Sequence, residues 1–326
     1  MRAMVYVGKP ELELQEVPIP IPKENEVLLE VLACGVCRTD LHIVDKDIIP
    51  PHLPIIPGHQ IVGKVTALGK DATKFKLGSY VGVPWLGGCC FHCPFCLRNE
   101  ENLCDFPVFT GFTRNGGYAE YCTANEEFCF HIPKTYPPEK AAPLLCAGLI
   151  GYRALKLCGP VNDIGMVGFG ASAHIITQAA RHLGKNIFAF TRAGDKNKQD
   201  FALRLGAAWS GSIEAPPEKL LDAVIIFASE GALVPQALKL VRKGGVVVCA
   251  GIHMSDISAF PYKDLWEERV IRSVANLTRQ DGLEFLLLAE KYPLAVETTV
   301  YPLDKANQAL KDLRNGKFNG SAVICP

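Results

Sequence analysis

The chain has 326 residues with 34 Lys plus Arg against 34 Asp plus Glu, a formal net charge of zero, and the charges are scattered rather than gathered in runs. That balance argues against nucleic acid or an anionic membrane surface as a partner, since both select basic patches. The length exceeds what one ordinary core fills, so two domains are expected. No apolar run reaches the roughly 20 residues that a membrane-spanning helix needs, and residues 1–9 hold no signal-peptide core, so a cytoplasmic protein is expected. Cysteine is abundant, 13 residues and an odd number, which points to thiols kept reduced for metal binding or catalysis rather than to a disulfide framework.

Residues 1–140 are rich in Pro and Gly and hold short β-type runs at 26–33, 60–68, 80–84 and 118–123, separated by turn signals at Gly69, Gly78, Gly87-Gly88 and Gly116-Gly117. This predicts a mainly β module with functional loops. From about Cys146 the pattern changes to strand 163–167, a glycine turn, helix 173–183, strand 186–191, helix 196–205, strand 222–228, helix 233–242 and strand 246–251. Strands alternating with helices predict βαβ units and a parallel sheet covered on both faces. After a strand at 270–275 come helix 280–291, strand 296–301, helix 304–315 and strand 320–325; these fit either an extension of the sheet or a return to the first module.

Cys90, Cys93, Cys96 and Cys104 are spaced C-x2-C-x2-C-x7-C. Thiolates three residues apart on an irregular loop can converge on one ion, and four sulfurs complete the closed tetrahedral shell of a structural zinc. Such a metal would hold together a lobe too small to fold by burial alone. Spacing alone lets Cys89 compete with Cys90 for the first place.

Gly168-Phe169-Gly170-Ala171-Ser172-Ala173 follows one strand and opens a helix, the context in which a glycine turn binds a dinucleotide. Gly168 permits the tight turn, Gly170 lets the backbone approach a pyrophosphate, and small Ala173 allows close helix-to-strand packing. The next strand ends Phe190-Thr191-Arg192, with Arg192 where NAD binders carry a ribose-binding carboxylate. A guanidinium can bind a 2′-phosphate that a carboxylate would repel, so NADP(H) is favoured over NAD(H).

Three separated segments hold residues suited to an open zinc site: Cys37 in Cys34-Gly35-Val36-Cys37-Arg38-Thr39-Asp40-Leu41-His42, His59 in Pro57-Gly58-His59-Gln60, and Cys146 in Leu144-Leu145-Cys146-Ala147-Gly148. None is distinctive alone. In this order, with the four-Cys lobe and the glycine turn, the sequence resembles over nearly its whole length the zinc-containing medium-chain alcohol dehydrogenases, and within them the NADP(H)-preferring, cinnamyl-alcohol-dehydrogenase-like branch.

The resemblance implies an α/β protein with a GroES-like, mainly β catalytic domain (1–147 and 277–326) and a Rossmann domain with a doubly wound parallel sheet (148–276) inserted before the last segment. It implies two zinc ions per chain. One is catalytic, on Cys37, His59 and Cys146 with a place left for water or substrate oxygen; the other is structural, with Cys90 rather than Cys89 completing its shell. Thr39 then matches a hydroxyl that contacts substrate oxygen, His42 the base at the end of a proton relay, Asp40 the carboxylate that orients the histidine ligand, and Arg38 a pyrophosphate contact.

One position departs from that pattern. The family usually reads Gly-His-Glu, and here Gln60 stands in place of the Glu, keeping its shape but not its charge. Zinc is expected to stay on three protein ligands and a water, with Gln60 outside the shell. Family geometry also implies that Trp85, Leu86 and parts of the 48–53 loop lie near the substrate. Such a lining suits aliphatic or aromatic alcohols and aldehydes better than polyols, whose hydroxyls need several polar partners. Three other readings are a polyol dehydrogenase, a reductase of conjugated double bonds, and a noncatalytic NADP(H)-binding redox sensor. The full zinc-ligand set opposes the second, and intact Thr39 and His42 oppose the third. The resemblance also implies a homodimer or homotetramer joined through edge strands.

Overall fold

The computed structural model describes every residue, Met1–Pro326, and the chain divides into two compact units. One comprises Met1–Leu149 and Asn276–Pro326, the other Ile150–Ala275.

The first unit is built on a mixed sheet whose order runs Thr298–Pro302, Ser321–Cys325, Glu26–Val36, Ile61–Leu68, Tyr80–Val83, Phe130–His131, with Tyr121–Asn125 also paired to Glu26–Val36. Only the first pair is parallel. Along Glu26–Val36 apolar Val27, Leu29 and Val31 point into the core and alternate with more exposed positions, as a strand with one covered face requires. From Ala33 to Val36 the alternation stops and every residue is buried, because both faces are now covered. The last 50 residues return to this unit: Ser321–Cys325 pairs antiparallel with Glu26–Val36, Ile324 opposite Cys34.

The second unit is a six-stranded sheet ordered Trp209–Ser212, Asn186–Thr191, Asp163–Val167, Leu221–Ile226, Val241–Cys249, Val270–Ser273, with every neighbouring pair parallel. In chain order that is 3-2-1-4-5-6, the doubly wound arrangement whose ligands sit at the carboxyl ends of the strands where the order reverses. Ile164, Met166, Val224, Ile225 and Ile226 are fully buried, as expected of a sheet covered by helices. Helices Ala171–His182, Lys196–Arg204 and Leu233–Leu238 supply the connections.

Several elements differ from the sequence expectation: helix Ala147–Leu157 was not expected, strand Val241–Cys249 starts ahead of the expected 246, and the strand expected at 118–123 is Tyr121–Asn125. The helix predicted over 233–242 stops at Leu238, because the Leu240 carbonyl accepts the Leu221 N–H at 2.8 Å and Val241 enters the sheet opposite Leu221. The strand Trp209–Ser212, at the sheet edge, was not expected from its Trp-Ser-Gly-Ser sequence. No helix is long and apolar enough to cross a membrane.

Gly282, inside helix Arg279–Lys291, tests how tightly the first unit is packed. Helix propensity alone would make Gly282→Ala stabilising by about 1 kcal/mol. A Cβ there would lie 2.2 Å from Phe130 Cζ, however. Overpacking reverses the sign, and urea denaturation should show the variant less stable by about 1–3 kcal/mol.

Candidate active site

Sheet register brings the first two ligand candidates together. Cys34 lies opposite Ile61 in antiparallel pairing, so Cys37, just past one strand, and His59, just before the other, emerge at the same end. Cys146 follows the short 3-10 turn Ala142–Leu145 and precedes helix Ala147–Leu157. The sulfurs of Cys37 and Cys146 and a ring nitrogen of His59 lie within 4.8 Å of one another.

A fully buried carboxylate organises this cluster. Asp40 Oδ2 accepts the Cys37 N–H at 2.9 Å, which caps helix Arg38–Val44, and the Tyr118 hydroxyl at 3.0 Å. Its Oδ1 accepts the Gly58 N–H at 3.2 Å and faces His59 Nδ1 at 3.4 Å. Burial above all, and then Asp40 itself, push the Tyr118 phenol well above its usual range, so it stays a donor. Gly58 has φ +94, and a Cβ there would lie 2.5 Å from the Tyr118 ring and 2.8 Å from Cys34 Sγ. Only glycine permits that turn and that approach.

These residues fit a divalent cation. His59 is buried, Nδ1 faces Asp40 without a hydrogen bond and Nε2 has no partner, an expensive state for buried ring nitrogens unless something else completes it. Without a cation, burial lowers the His59 pKa, but Asp40 and Cys37 outweigh it and raise the value to about 10. A hydrogen bond from Cys146 holds Cys37 well below the usual thiol range, and that same bond, with burial, pushes Cys146 well above it. Two sulfurs and an imidazole sharing protons in a dry site are the donor set that zinc takes up once it replaces those protons.

Cys90, Cys93, Cys96 and Cys104 form the second cluster, also within 4.8 Å of one another. Backbone N–H groups point at the sulfurs: Cys93 donates to Cys90 Sγ, and Cys90 and Phe106 donate to Cys104 Sγ, each at 3.3 Å. The Cys96 N–H above all holds Cys93 down to about 6. Such donors favour thiolates, which a structural zinc requires. No cysteine in the chain is paired in a disulfide. The lobe is tied to the returning C-terminal segment by Glu101, whose buried carboxylate accepts the Arg279 N–H at 2.8 Å and Nε at 3.1 Å, while the Arg279 guanidinium lies over the Phe91 and Phe128 rings. Nothing in the sequence pattern pointed to this clamp.

Thr39 is buried, with Oγ1 3.6 Å from Cys37 Sγ. His42, one helical turn along, places Nδ1 2.8 Å from Asp47 Oδ2. Trp85 meets the His59 ring edge-on at 4.9 Å, stacks on Phe109 at 5.1 Å and tilts against Phe112 at 5.7 Å. Leu86 is buried and pairs with Phe109 across a two-stranded ribbon. Gln60 packs over Gly35, where an added Cβ would sit 2.7 Å from its Oε1. Sequence reasoning missed Tyr118, Phe109 and Phe112, and no local signal in the sequence pointed to the role of the first.

In the second unit, Gly168 adopts φ +90 and its N–H donates to the Phe190 carbonyl at 2.9 Å. Gly170 caps helix Ala171–His182 with open space where a Cβ would stand, and Ala173 is fully buried. Thr191 is buried and accepts from Gln199 Nε2 at 3.3 Å, while Arg192 and Arg38 are exposed in their own units. The nearest carboxylate along the chain, Asp195, caps helix Lys196–Arg204 through the Lys198 N–H and pairs with the Lys198 ammonium.

A β unit with a three-donor metal cluster and a four-thiol lobe, in one chain with a doubly wound unit that carries a dinucleotide-type glycine turn, defines the class of metal-assisted nicotinamide oxidoreductases. Comparison with known proteins agrees. Residues 23–134 match the family model of the alcohol dehydrogenase GroES-like domain. The probable alcohol dehydrogenase AdhA of Mycobacterium tuberculosis is 41% identical, over 96% of this chain and 92% of that protein. Among solved structures, the CAD from Helicobacter pylori complexed with NADP(H) superposes with a TM-score of 0.88 at 25% identity, covering 99% of this chain and 97% of that one. The acetophenone reductase from Geotrichum candidum in complex with NAD does so with a TM-score of 0.89 at 25% identity, covering 100% and 97%. The chain belongs to the zinc-containing medium-chain alcohol dehydrogenase family, with alcohol dehydrogenase activity, two candidate zinc sites and NAD(P) binding.

The site depends on Asp40 more than on any other residue outside the donor set. In Asp40→Asn the Cys37 N–H and Gly58 N–H compete for one carbonyl oxygen, and zinc affinity at the three-donor site should fall about 10–100-fold. Tyr118→Phe removes one donor and should weaken zinc less. Zinc retained during dialysis against a graded chelator separates the two variants.

Proposed function

We propose that this chain interconverts apolar aliphatic or aromatic alcohols and aldehydes with NADP(H), using zinc on Cys37, His59 and Cys146. The observation that carries the reading is the convergence of these three donors around a buried, unpartnered His59 Nε2, next to the Trp85 ring. Zinc there supplies Lewis acidity toward a substrate oxygen, and the nicotinamide supplies or accepts the hydride.

The protein groups divide the remaining work. Asp40 holds the His59 ring so that Nε2 stays available, and locks the Cys37 turn. Thr39, beside Cys37, is positioned to pass the substrate hydroxyl proton; a hydroxyl relays a proton but does not store one. His42 then takes it up, since an imidazole can exchange it with solvent near neutral pH. The rings of Trp85, Phe109 and Phe112 pack on one another next to His59 as a largely apolar cluster, which favours apolar substrates over polyols. Gln60, packed on Gly35, stays outside the metal shell.

The fold accommodates either nicotinamide cofactor, so the preference rests on the end of strand Asn186–Thr191. Exposed Arg192 follows it, and Asp195 is engaged in its helix cap, which leaves cationic rather than acidic character for the ribose end. Gly168, Gly170 and Ala173 form the pyrophosphate turn, and Arg38 is a further pyrophosphate contact. The edge strand Val270–Ser273, with Tyr262 and Trp266 exposed nearby, is the surface through which two copies associate.

Steady-state rates with NADPH and NADH over a panel of aliphatic and aromatic aldehydes and polyols test this reading. NADPH with apolar aldehydes should give the highest kcat/KM; a preference for NADH or for polyols contradicts it. Arg192→Ala should lose about 1.5–3 kcal/mol of NADPH binding, the usual worth of a hydrogen bond to a charged group. That is roughly a 10–100-fold rise in Kd, with NADH binding little changed.

A further inference from the structure

We propose that Arg114 is a positioning residue for substrate selectivity: anchored in the main sheet of the first unit by Glu26 and Thr123, it holds the turn 109–114 so that Phe109 and Phe112 stay against Trp85. The inference rests on reading those three rings as the wall of the substrate site.

The wall is assembled from chain with little regular structure. Trp85 precedes the short strand Leu86–Gly88, and Phe109 ends its partner strand Val108–Phe109. Phe112 stands on the turn that follows, in the run Thr110-Gly111-Phe112-Thr113-Arg114-Asn115-Gly116-Gly117. A run so rich in glycine loses much backbone freedom on folding, so a ring placed within it needs fixed points.

Some of those points lie inside the turn. The Phe109 carbonyl accepts the Thr113 N–H at 3.0 Å and the Arg114 N–H at 3.2 Å, and Thr113 Oγ1 accepts the Phe109 N–H at 2.7 Å. These bonds fix the shape of the turn but not where it sits. Three more join it to neighbouring loops: Asn115 Oδ1 accepts the Ile56 N–H at 3.0 Å, the Gly116 N–H donates to the Ile56 carbonyl at 2.7 Å, and the Thr110 N–H donates to the Trp85 carbonyl at 2.9 Å.

The Arg114 side chain reaches the sheet itself. Its Nη2 donates to the Thr123 carbonyl at 2.7 Å and to Thr123 Oγ1 at 3.0 Å, and pairs with Glu26 Oε1 at 3.1 Å. Glu26 and Thr123 belong to the paired strands Glu26–Val36 and Tyr121–Asn125, and the other Glu26 oxygen accepts the Lys23 N–H at 3.0 Å, so the anchor is rigid. The two charged side chains are only 18% and 14% exposed, and removing one leaves the other unpaired in a nearly dry position. On its way Arg114 passes Gly87, two residues after Trp85. A Cβ there would lie 3.7 Å from Arg114 Cδ and 2.7 Å from Thr110 Oγ1, so the glycine gives the anchor its room.

Freeing the turn lets Phe109 and Phe112 leave Trp85. A large aromatic substrate then loses a packing surface, while a small aldehyde that never reaches it loses nothing. Arg114 acts through the rings, so the loss falls on binding rather than on the chemical step.

The test compares the zinc-loaded wild type with Arg114→Met, Arg114→Lys and Glu26→Gln in the reduction of benzaldehyde and acetaldehyde, with NADPH and with NADH. Arg114→Met should raise KM for benzaldehyde about 10-fold at nearly unchanged kcat, and leave both constants for acetaldehyde unchanged. Arg114→Lys, which still meets Glu26, should recover most of the loss, and Glu26→Gln should fall between wild type and Arg114→Met. Near-UV circular dichroism follows the Trp85–Phe109 stack without substrate, since the other two tryptophans, Trp209 and Trp266, lie in the second unit. Its aromatic bands should weaken in Arg114→Met. If that variant does not fold, Arg114→Lys and Glu26→Gln carry the comparison. Equal losses with both aldehydes, an unchanged KM for benzaldehyde, or unchanged aromatic bands would overturn the proposal. A wild type inactive with both aldehydes would overturn the reading of the site, and the spectra then still decide whether Arg114 holds the rings.

Discussion

The buried carboxylate of Asp40 is the constraint on which the catalytic centre depends. A carboxylate removed from water is tolerated only if its lone pairs are filled, and here two backbone N–H groups and a phenol donate to it while the His59 ring faces it. These groups come from three stretches of chain: the cap of helix Arg38–Val44, the turn before strand Ile61–Leu68 that carries both Gly58 and His59, and the loop that holds Tyr118. Satisfying one charge therefore fixes where Cys37 and His59 stand relative to each other before any metal arrives. The close approach this requires explains the glycines. Gly58 must take a left-handed φ against the Tyr118 ring, and a Cβ at Gly116 would lie 2.0 Å from the Gly58 carbonyl oxygen.

The charge inventory of the site follows from the same arrangement. Two thiolates would balance a divalent cation held there, and Asp40, which faces His59 Nδ1 at 3.4 Å, would contribute its charge through the His59 ring. Gln60 adds none. Its side chain lies over Gly35, where a carboxylate would have brought a further negative charge to a buried position. A metal held by Cys37, His59 and Cys146 would carry less compensating charge than in a Gly-His-Glu sequence, which would favour polarising a carbonyl.

Legibility in the sequence tracked how local each determinant was. Strands Asp163–Val167 and Asn186–Thr191 could be read to the residue, because a buried parallel strand is an apolar run bounded by turn residues. Leu233–Leu238 was read too long because Leu240 and Val241 continue the helical period, and only pairing with Leu221, remote in sequence, ends it. The half-buried edge strand Trp209–Ser212 carries no period at all. The four-thiol lobe was legible from spacing, since its ligands share one loop. Cys37, His59 and Cys146 could be grouped only through resemblance to a family, because strand register and a distant turn bring them together. Tyr118, 78 residues from the carboxylate it donates to, left no local trace.

Zinc X-ray absorption on the purified chain, combined with metal analysis, tests the central claim most directly. Two zinc ions per chain are expected, with an average of about three sulfurs and one lighter atom per zinc, as a four-sulfur shell and a shell of two sulfurs, an imidazole and one oxygen would give. A single zinc with an all-sulfur shell, retained in a soluble folded protein, would contradict the account: Asp40 would then hold together three donors that bind no metal.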